Sequence, residues 1–274
     1  MLRGNAAKIV SSVMTPLEIA ELAREIVAAF DPGTAAPGVS CGCDHSSDPA
    51  APQRNLDVAA MIDQTLLRPD VSEADMRRFL ATSRGAGFHA VCVQPTWVAL
   101  ATRELRGTGT KVASVVGFPH GATVTPVKCL EAETAIRLGA REIDMVANVG
   151  ALLSDDLDAA FTDIKSVAAI TSHYGAILKV ILEMPRLNER QKINACVVSK
   201  LAGANFVKTS TGFEGSSADV RDVEVMHRVV GGVLGVKAAG GIHTYADFEK
   251  MFQAGATRIG TSRGLEILTE AGAA

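Results

Sequence analysis

No stretch of this 274-residue chain is apolar for long enough to cross a bilayer, so a membrane partner is not expected. Its first residues, MLRGNAAKIVSSVMT, lack the apolar segment and small-residue cleavage site of a secretory signal. There is no basic block and no basic stripe interleaved with aromatics, and the formal net charge is −3, which excludes the usual nucleic-acid binders. Cysteine is scarce. Of the five, Cys92, Cys129 and Cys196 fall inside apolar periodic segments, as expected of reduced thiols in a cytoplasmic protein rather than of a disulfide framework. The other two form Cys41-x-Cys43-Asp44-His45, and no second pair completes a zinc tetrad, so no metal is expected. A G-x-G-x-x-G run after the first strand-like segment is also missing, which argues against a dinucleotide fold.

What is present is an ordinary globular composition, 47% hydrophobic and 21% charged, long enough to bury a large core. Residues 15–30 read as an amphipathic helix: Thr15 and Glu18 form a capping box, Pro16 suits the first turn, and Ile19, Leu22, Ala23, Ile26, Val27 and Phe30 recur at helical spacing. A connector rich in Pro, Gly, Ser and Ala follows from 31 to 52. The expected division is an N-terminal extension, 1–55, and one compact domain, 56–274.

From there strand-like runs alternate with helical ones. The strands are expected at 61–66, 89–94, 111–118, 142–148, 177–183, 206–211, 235–240 and 258–261. Helix-start residues stand between them at Ser72, Thr125 (followed by Pro126), Ser154, Asn188 and Thr244. Four helices end on the same Gly-Ala phrase, at Gly85, Gly139, Gly203 and Gly255. Eight strands in this rhythm predict an α/β fold, a closed (β/α)8 TIM barrel carrying an N-terminal helical extension; an open doubly wound sheet is the competitor.

Parallel barrel strands are buried on both faces and should read as unbroken apolar runs. Here they are interrupted by Asp63 and Thr65, Cys92 and Gln94, Asp144 and Asn148, Lys179 and Glu183, Lys208 and Ser210, and Lys237. Within each strand these positions share one parity and therefore one face. Ile143, Met145, Val180, Leu182, Val207 and Val236 hold the other parity, the face that helices would cover. The polar face is then the barrel interior, where unpaired charge costs several kcal/mol. A lone lysine near a strand end usually snorkels to solvent. Three at matching parity on neighbouring strands make better sense as a site. Clustered ammonium groups lower one another's proton affinity, which suits a lysine to attack a carbonyl. Asp144 balances charge, acts as an acid/base, or does both. Glycine-bearing strand ends at Gly212, Gly240-Gly241 and Gly260-Thr261-Ser262 fit either tight turns or a phosphate cradle made of backbone N–H groups.

At these residues the chain resembles the deoxyribose-phosphate aldolase family of class I aldolases. The similarity rests on Ile62-Asp63-Gln64-Thr65-Leu66-Leu67, Gly117-Phe118-Pro119-His120-Gly121, Glu142-Ile143-Asp144-Met145-Val146 and Leu178-Lys179-Val180-Ile181-Leu182-Glu183. It rests above all on Lys208-Thr209-Ser210-Thr211-Gly212 with the later Lys237-Ala238-Ala239-Gly240-Gly241. The resemblance implies that Lys208 forms a Schiff base, that Lys237 lowers its pKa and that Asp144 relays protons through water. It also places Asp63, Thr65, Cys92 and Lys179 along the pocket. Gly212, Gly240, Gly241, Gly260 and Ser262 would hold phosphate.

The implied reaction is cleavage of 2-deoxy-D-ribose 5-phosphate to D-glyceraldehyde 3-phosphate and acetaldehyde, in deoxyribonucleotide catabolism. No cofactor is implied, the partners are sugar phosphates and aldehydes, and a homo-oligomer, dimer or tetramer, is expected. The chain departs from the family at Met184-Pro185-Arg186, where Thr-Gly is common after the fifth-strand Glu, and in having His243 where Arg is usual. It also has Arg263 where a second Ser is usual, and no C-terminal Tyr. Arg263 is read as taking over the phosphate's cationic partner from His243. His120 is read as turn packing, with a place at the pocket mouth as the alternative. The rival readings are a Schiff-base aldolase with another phosphorylated acceptor and a non-catalytic sugar-phosphate binder.

Overall fold

A computed structural model describes residues 14–30 and 57–272. Eight parallel strands, β1 (Ile62–Leu66), β2 (Ala90–Val93), β3 (Lys111–Val116), β4 (Glu142–Val146), β5 (Ile177–Ile181), β6 (Phe206–Lys208), β7 (Gly235–Ala239) and β8 (Arg258–Thr261), pair in sequence order. They close through β1 against β8 into the expected barrel. Every expected strand is present, and six end earlier than the apolar pattern: the chain leaves the ladder where polar residues reach the mouth. The outer layer is α2 to α10: α2 (Glu73–Ser83), α3 (Val98–Glu104), α4 (Thr125–Arg137), α5 (Val149–Leu153), α6 (Leu157–His173), α7 (Glu189–Ala202), α8 (Val220–Val230), α9 (Tyr245–Gln253) and α10 (Gly264–Glu270). The extension helix α1 (Pro16–Phe30) precedes them in the chain.

The local signals work as the side-chain chemistry requires. Ser72, Asn188 and Thr244 close capping boxes on α2, α7 and α9. Thr15 does the same for α1, with its N–H 2.6 Å from Glu18 Oε2 and its hydroxyl oxygen accepting from the Glu18 N–H. Two expected starts differ. Thr125 is the first residue of α4 rather than its cap, and its hydroxyl donates to Asp163 instead. Ser154 ends the short α5, and Asp156 caps α6.

Ile143, Met145, Val180, Leu182, Val207 and Val236 lie in the apolar layer between sheet and helices. The interior is split. Ala90, Cys92, Ala113 and Val115 of β2 and β3 form a small apolar patch with Leu67, and ionised groups fill the space facing β1 and β4 to β8. Helix α1 packs on α7 and α8 with Ile19 and Ile26 buried, and the Arg221 guanidinium of α8 donates to the Met14 carbonyl. The connector and Cys41-x-Cys43-Asp44-His45 lie outside the described residues.

Candidate active site

The alternation of side chains along each strand brings Asp63, Asp144, Lys179, Lys208 and Lys237 together inside the barrel, all buried. Lys179 Nζ lies 2.7 Å from Asp144 Oδ1 and 3.0 Å from Asp63 Oδ2. Lys208 Nζ donates to Asp144 Oδ2 at 2.9 Å. Lys237 Nζ donates to that same oxygen at 2.8 Å and to Asp63 Oδ2 at 2.5 Å. Two interior ions were not singled out from the sequence. Glu142 accepts from Lys179 at 2.7 Å, and Arg258 bridges Asp63 and Glu142 at 2.8 and 3.0 Å. Both open their strands, where a charged residue reads as a solvated end; the parity of Glu142 with Asp144 was the available signal.

Four cationic groups thus face three carboxylates, and the proton affinities follow from who pairs with whom. Burial alone would raise Asp63 and Asp144, but the surrounding ammonium groups hold both well below the usual carboxylate range. Burial alone would lower Lys179 and Lys237, yet the carboxylates outweigh it and raise both. Lys208 goes the other way. Burial lowers its pKa, Lys237 adds to the fall, and Asp144, with a smaller push from Cys92, opposes it without prevailing. Cys92 is buried beside the cluster, and burial with the Asp144 charge pushes its thiol up to about 11, so it is a wall and not a nucleophile. The Thr65 hydroxyl donates to the Asp63 carbonyl, 2.9 Å away along the same strand.

The glycine-bearing ends of β6 and β7 meet. Gly240 has φ +90°, and a side chain there would come within 2.8 Å of the Ser216 carbonyl and 3.1 Å of Ser210 Oγ. Gly212 lies across from it, its Cβ position 3.6 Å from Gly240 Cα. Among the described residues, no protein acceptor takes the N–H of Gly240, Gly241 or Ser262. Gly260 faces inward, where a Cβ would stand 3.0 Å from Lys237 Cε; its bareness makes room for that lysine. Gln64 clamps the turn after β8, its amide bonding the Ser262 carbonyl and the Gly264 N–H. Arg263 is 57% exposed and lies 3.7 Å from Glu266 of its own helix.

A cleft of about 260 Å³ opens beside this centre, lined by His120, Leu153, Glu183, Arg186, Thr211 and Phe213 among others. His120, expected to serve turn packing, is part of its wall. Glu183 has a left-handed backbone (φ 57°) and takes hydrogen bonds from the Thr211 N–H and the Ser216 hydroxyl; burial raises its pKa. Arg186, from the departing Met184-Pro185-Arg186 turn, pairs with Glu214 at 2.7 Å.

The model of the DeoC/LacD family aldolases matches residues 58–270. The chain belongs to that family. Among its relatives is the deoxyribose-phosphate aldolase of Caldanaerobacter subterraneus subsp. tengcongensis, 46% identical over 216 residues, 78% of this chain and 94% of that protein. The tetrameric deoxyribose phosphate aldolase of Aeropyrum pernix superposes with a TM-score of 0.74 at 33% identity, over 79% of this chain and 91% of that one. A Coccidioides immitis structure covers 95% of this chain and 99% of its own, with a TM-score of 0.79 at 35% identity. Among the described residues of this DeoC/LacD member, no helix is long and apolar enough to cross a membrane.

Proposed function

We propose that this chain is a class I aldolase that cleaves 2-deoxy-D-ribose 5-phosphate into D-glyceraldehyde 3-phosphate and acetaldehyde through an imine on Lys208. The observation that carries this reading is the contrast among the three interior lysines. Lys179 and Lys237 are held as ammonium ions, while Lys208 gives up its proton most readily and so supplies the free amine that attacks a carbonyl.

The Lys208 amine adds to C1 of the open-chain sugar, and loss of water leaves a protonated imine. The C3 hydroxyl loses its proton, C3 becomes the carbonyl of the departing glyceraldehyde 3-phosphate, and the C2–C3 electron pair moves into an enamine. Protonation at C2 and hydrolysis free acetaldehyde and restore the amine. The imine is the electron sink, so no cofactor enters the step. Asp144, a carboxylate touching both Lys208 and Lys237, is placed to relay protons through water, and Lys237 keeps positive charge beside the reacting nitrogen. The N–H groups of Gly240, Gly241 and Ser262, without an acceptor among the described residues, suit a phosphate, with Arg263 as its charged partner. The extension is read as an appendage to a barrel domain that begins near residue 56, and the assembly as a dimer or tetramer.

A second reading is favoured by Arg186, which lines the cleft in the turn where the family resemblance leads one to expect Thr-Gly, and suits a different phosphorylated acceptor. One assay separates the two. Incubation with deoxyribose 5-phosphate should release equal amounts of acetaldehyde and glyceraldehyde 3-phosphate. Imine trapping without that turnover would favour the second reading.

A further inference from the structure

Below Lys208 the ion cluster continues to the opposite mouth of the barrel through residues that the imine chemistry does not touch. His89 stands just before β2, at the N-terminal end of the strands, with Nε2 2.9 Å from Glu142 Oε1. A carboxylate can only accept, and Glu142 is held as one, its pKa down to about 2 as the His89 hydrogen bond and Lys179 outweigh burial. The Nε2 proton therefore points at Glu142. The other Glu142 oxygen takes Lys179 and Arg258. Lys179 has three protons to donate and three carboxylates within 3.0 Å: Glu142, Asp144 and Asp63. Asp144 then offers its second oxygen to Lys208. The chain His89–Glu142–Lys179–Asp144–Lys208 is unbroken from one end of the barrel towards the other.

Its lower end is wet: the His89 side chain is 23% exposed, with the exposed Lys111 ammonium 3.3 Å from Nε2 and 3.8 Å from Glu142. Filling this layer with ions costs more than the branched apolar layers usual in such barrels, so the arrangement calls for a use. Proton conduction is not that use, because Lys179 is held as an ammonium ion by three carboxylates and does not let its proton go. What the chain transmits is placement.

We propose that His89 is a positioning residue for Lys208: by donating to Glu142 from the far end of the barrel it keeps Lys179 on Asp144, and so limits how strongly Asp144 holds Lys208. The inference rests on Lys208 being the imine-forming lysine. Without the His89 donor, Glu142 draws Lys179 and Arg258 towards itself. Asp144, then less compensated, binds the Lys208 ammonium more tightly, and the free amine forms only at higher pH.

The test is the pH dependence of borohydride trapping of acetaldehyde on Lys208 in the wild type, His89→Leu and His89→Gln. His89→Leu should move the midpoint up by about half to one pH unit. It should also lower kcat several-fold with little change in KM for deoxyribose 5-phosphate. His89→Gln, whose amide reaches Glu142, should restore the wild-type midpoint. If His89→Leu does not fold, His89→Asn, polar but too short to reach Glu142, must show the same alkaline shift. Midpoints that stay at the wild-type value, even with a lowered Tm, overturn the proposal, since a merely structural role would do that. Wild-type protein that forms no adduct at any pH overturns the Schiff-base reading and this inference with it. An adduct with unmoved midpoints overturns this inference alone.

Discussion

Lys208 and Lys237 are cross-strand partners on β6 and β7, and both donate to Asp144 Oδ2, at 2.9 and 2.8 Å, yet their proton affinities move in opposite directions. The difference is one carboxylate. Lys237 also holds Asp63 at 2.5 Å, and the two anions together outweigh the cost of burial. Lys208 has Asp144 alone, and there burial and the neighbouring ammonium win.

This relationship makes Asp63 the residue that keeps the two lysines distinct. Asp63→Asn should release Lys237 towards the free amine. Acetaldehyde and borohydride should then label Lys237 as well as Lys208, and the fold should lose about 3–5 kcal/mol in urea unfolding because its cations are left under-compensated. Label confined to Lys208 would show that Asp63 does not set the difference.

The same pairing gives the protein a defined acid limit. Asp63, Glu142 and Asp144 all have folded pKa values below their ordinary ones, Glu142 at about 2. Groups lowered in this way stabilise the fold above their unfolded pKa, about 4, and the contribution is lost as pH falls through the folded values. Tm should stay level down to about pH 5 and fall steadily from there towards pH 2. Glu142→Gln should flatten that fall while lowering Tm at neutral pH.

Much of this centre was legible in the sequence because strand geometry is periodic. Asp63, Asp144, Lys179, Lys208 and Lys237 each break an apolar strand at inward parity, and parity alone places them on one face. Glu142 and Arg258 hold the same face but open their strands, where a charge looks solvated, and His89 lies just outside β2. Which lysine shares Asp144, and which has a second carboxylate, depends on distances between strands far apart in sequence. The pattern of a single strand does not contain them. Helix α5 escaped notice because five residues are too few to show a period.

The docking of α1 is a further point where the sequence suggested less than the structure holds. A chain beginning at Pro52 should keep its kcat, since the interior ions among the described residues all lie after that point. It should lose the burial of Ile19 and Ile26, roughly 1.5–3 kcal/mol each, and with it about 5 °C or more of Tm. Ile19→Asp should reproduce the thermal loss in the full chain. An unchanged Tm in both would mean that α1 contributes nothing to the barrel.

For the phosphate, Arg263→Ala should raise KM for deoxyribose 5-phosphate about tenfold and leave unphosphorylated deoxyribose nearly untouched, whereas His243→Ala should change neither much. Among the described residues the exposed Arg263 side chain pairs with Glu266 at 3.7 Å, a surface contact weak enough for a phosphate to compete with. Discrimination by His243→Ala instead would return the charge to the position where the family resemblance leads one to expect Arg.

The most direct measurement on the chemistry is covalent trapping. The protein is incubated with acetaldehyde, reduced with borohydride, digested and mapped by mass spectrometry. The expected result is a single two-carbon adduct on the peptide containing Lys208, lost in Lys208→Met. An adduct on Lys237 in place of Lys208, or turnover of deoxyribose 5-phosphate with no adduct on any interior lysine, would contradict the assignment.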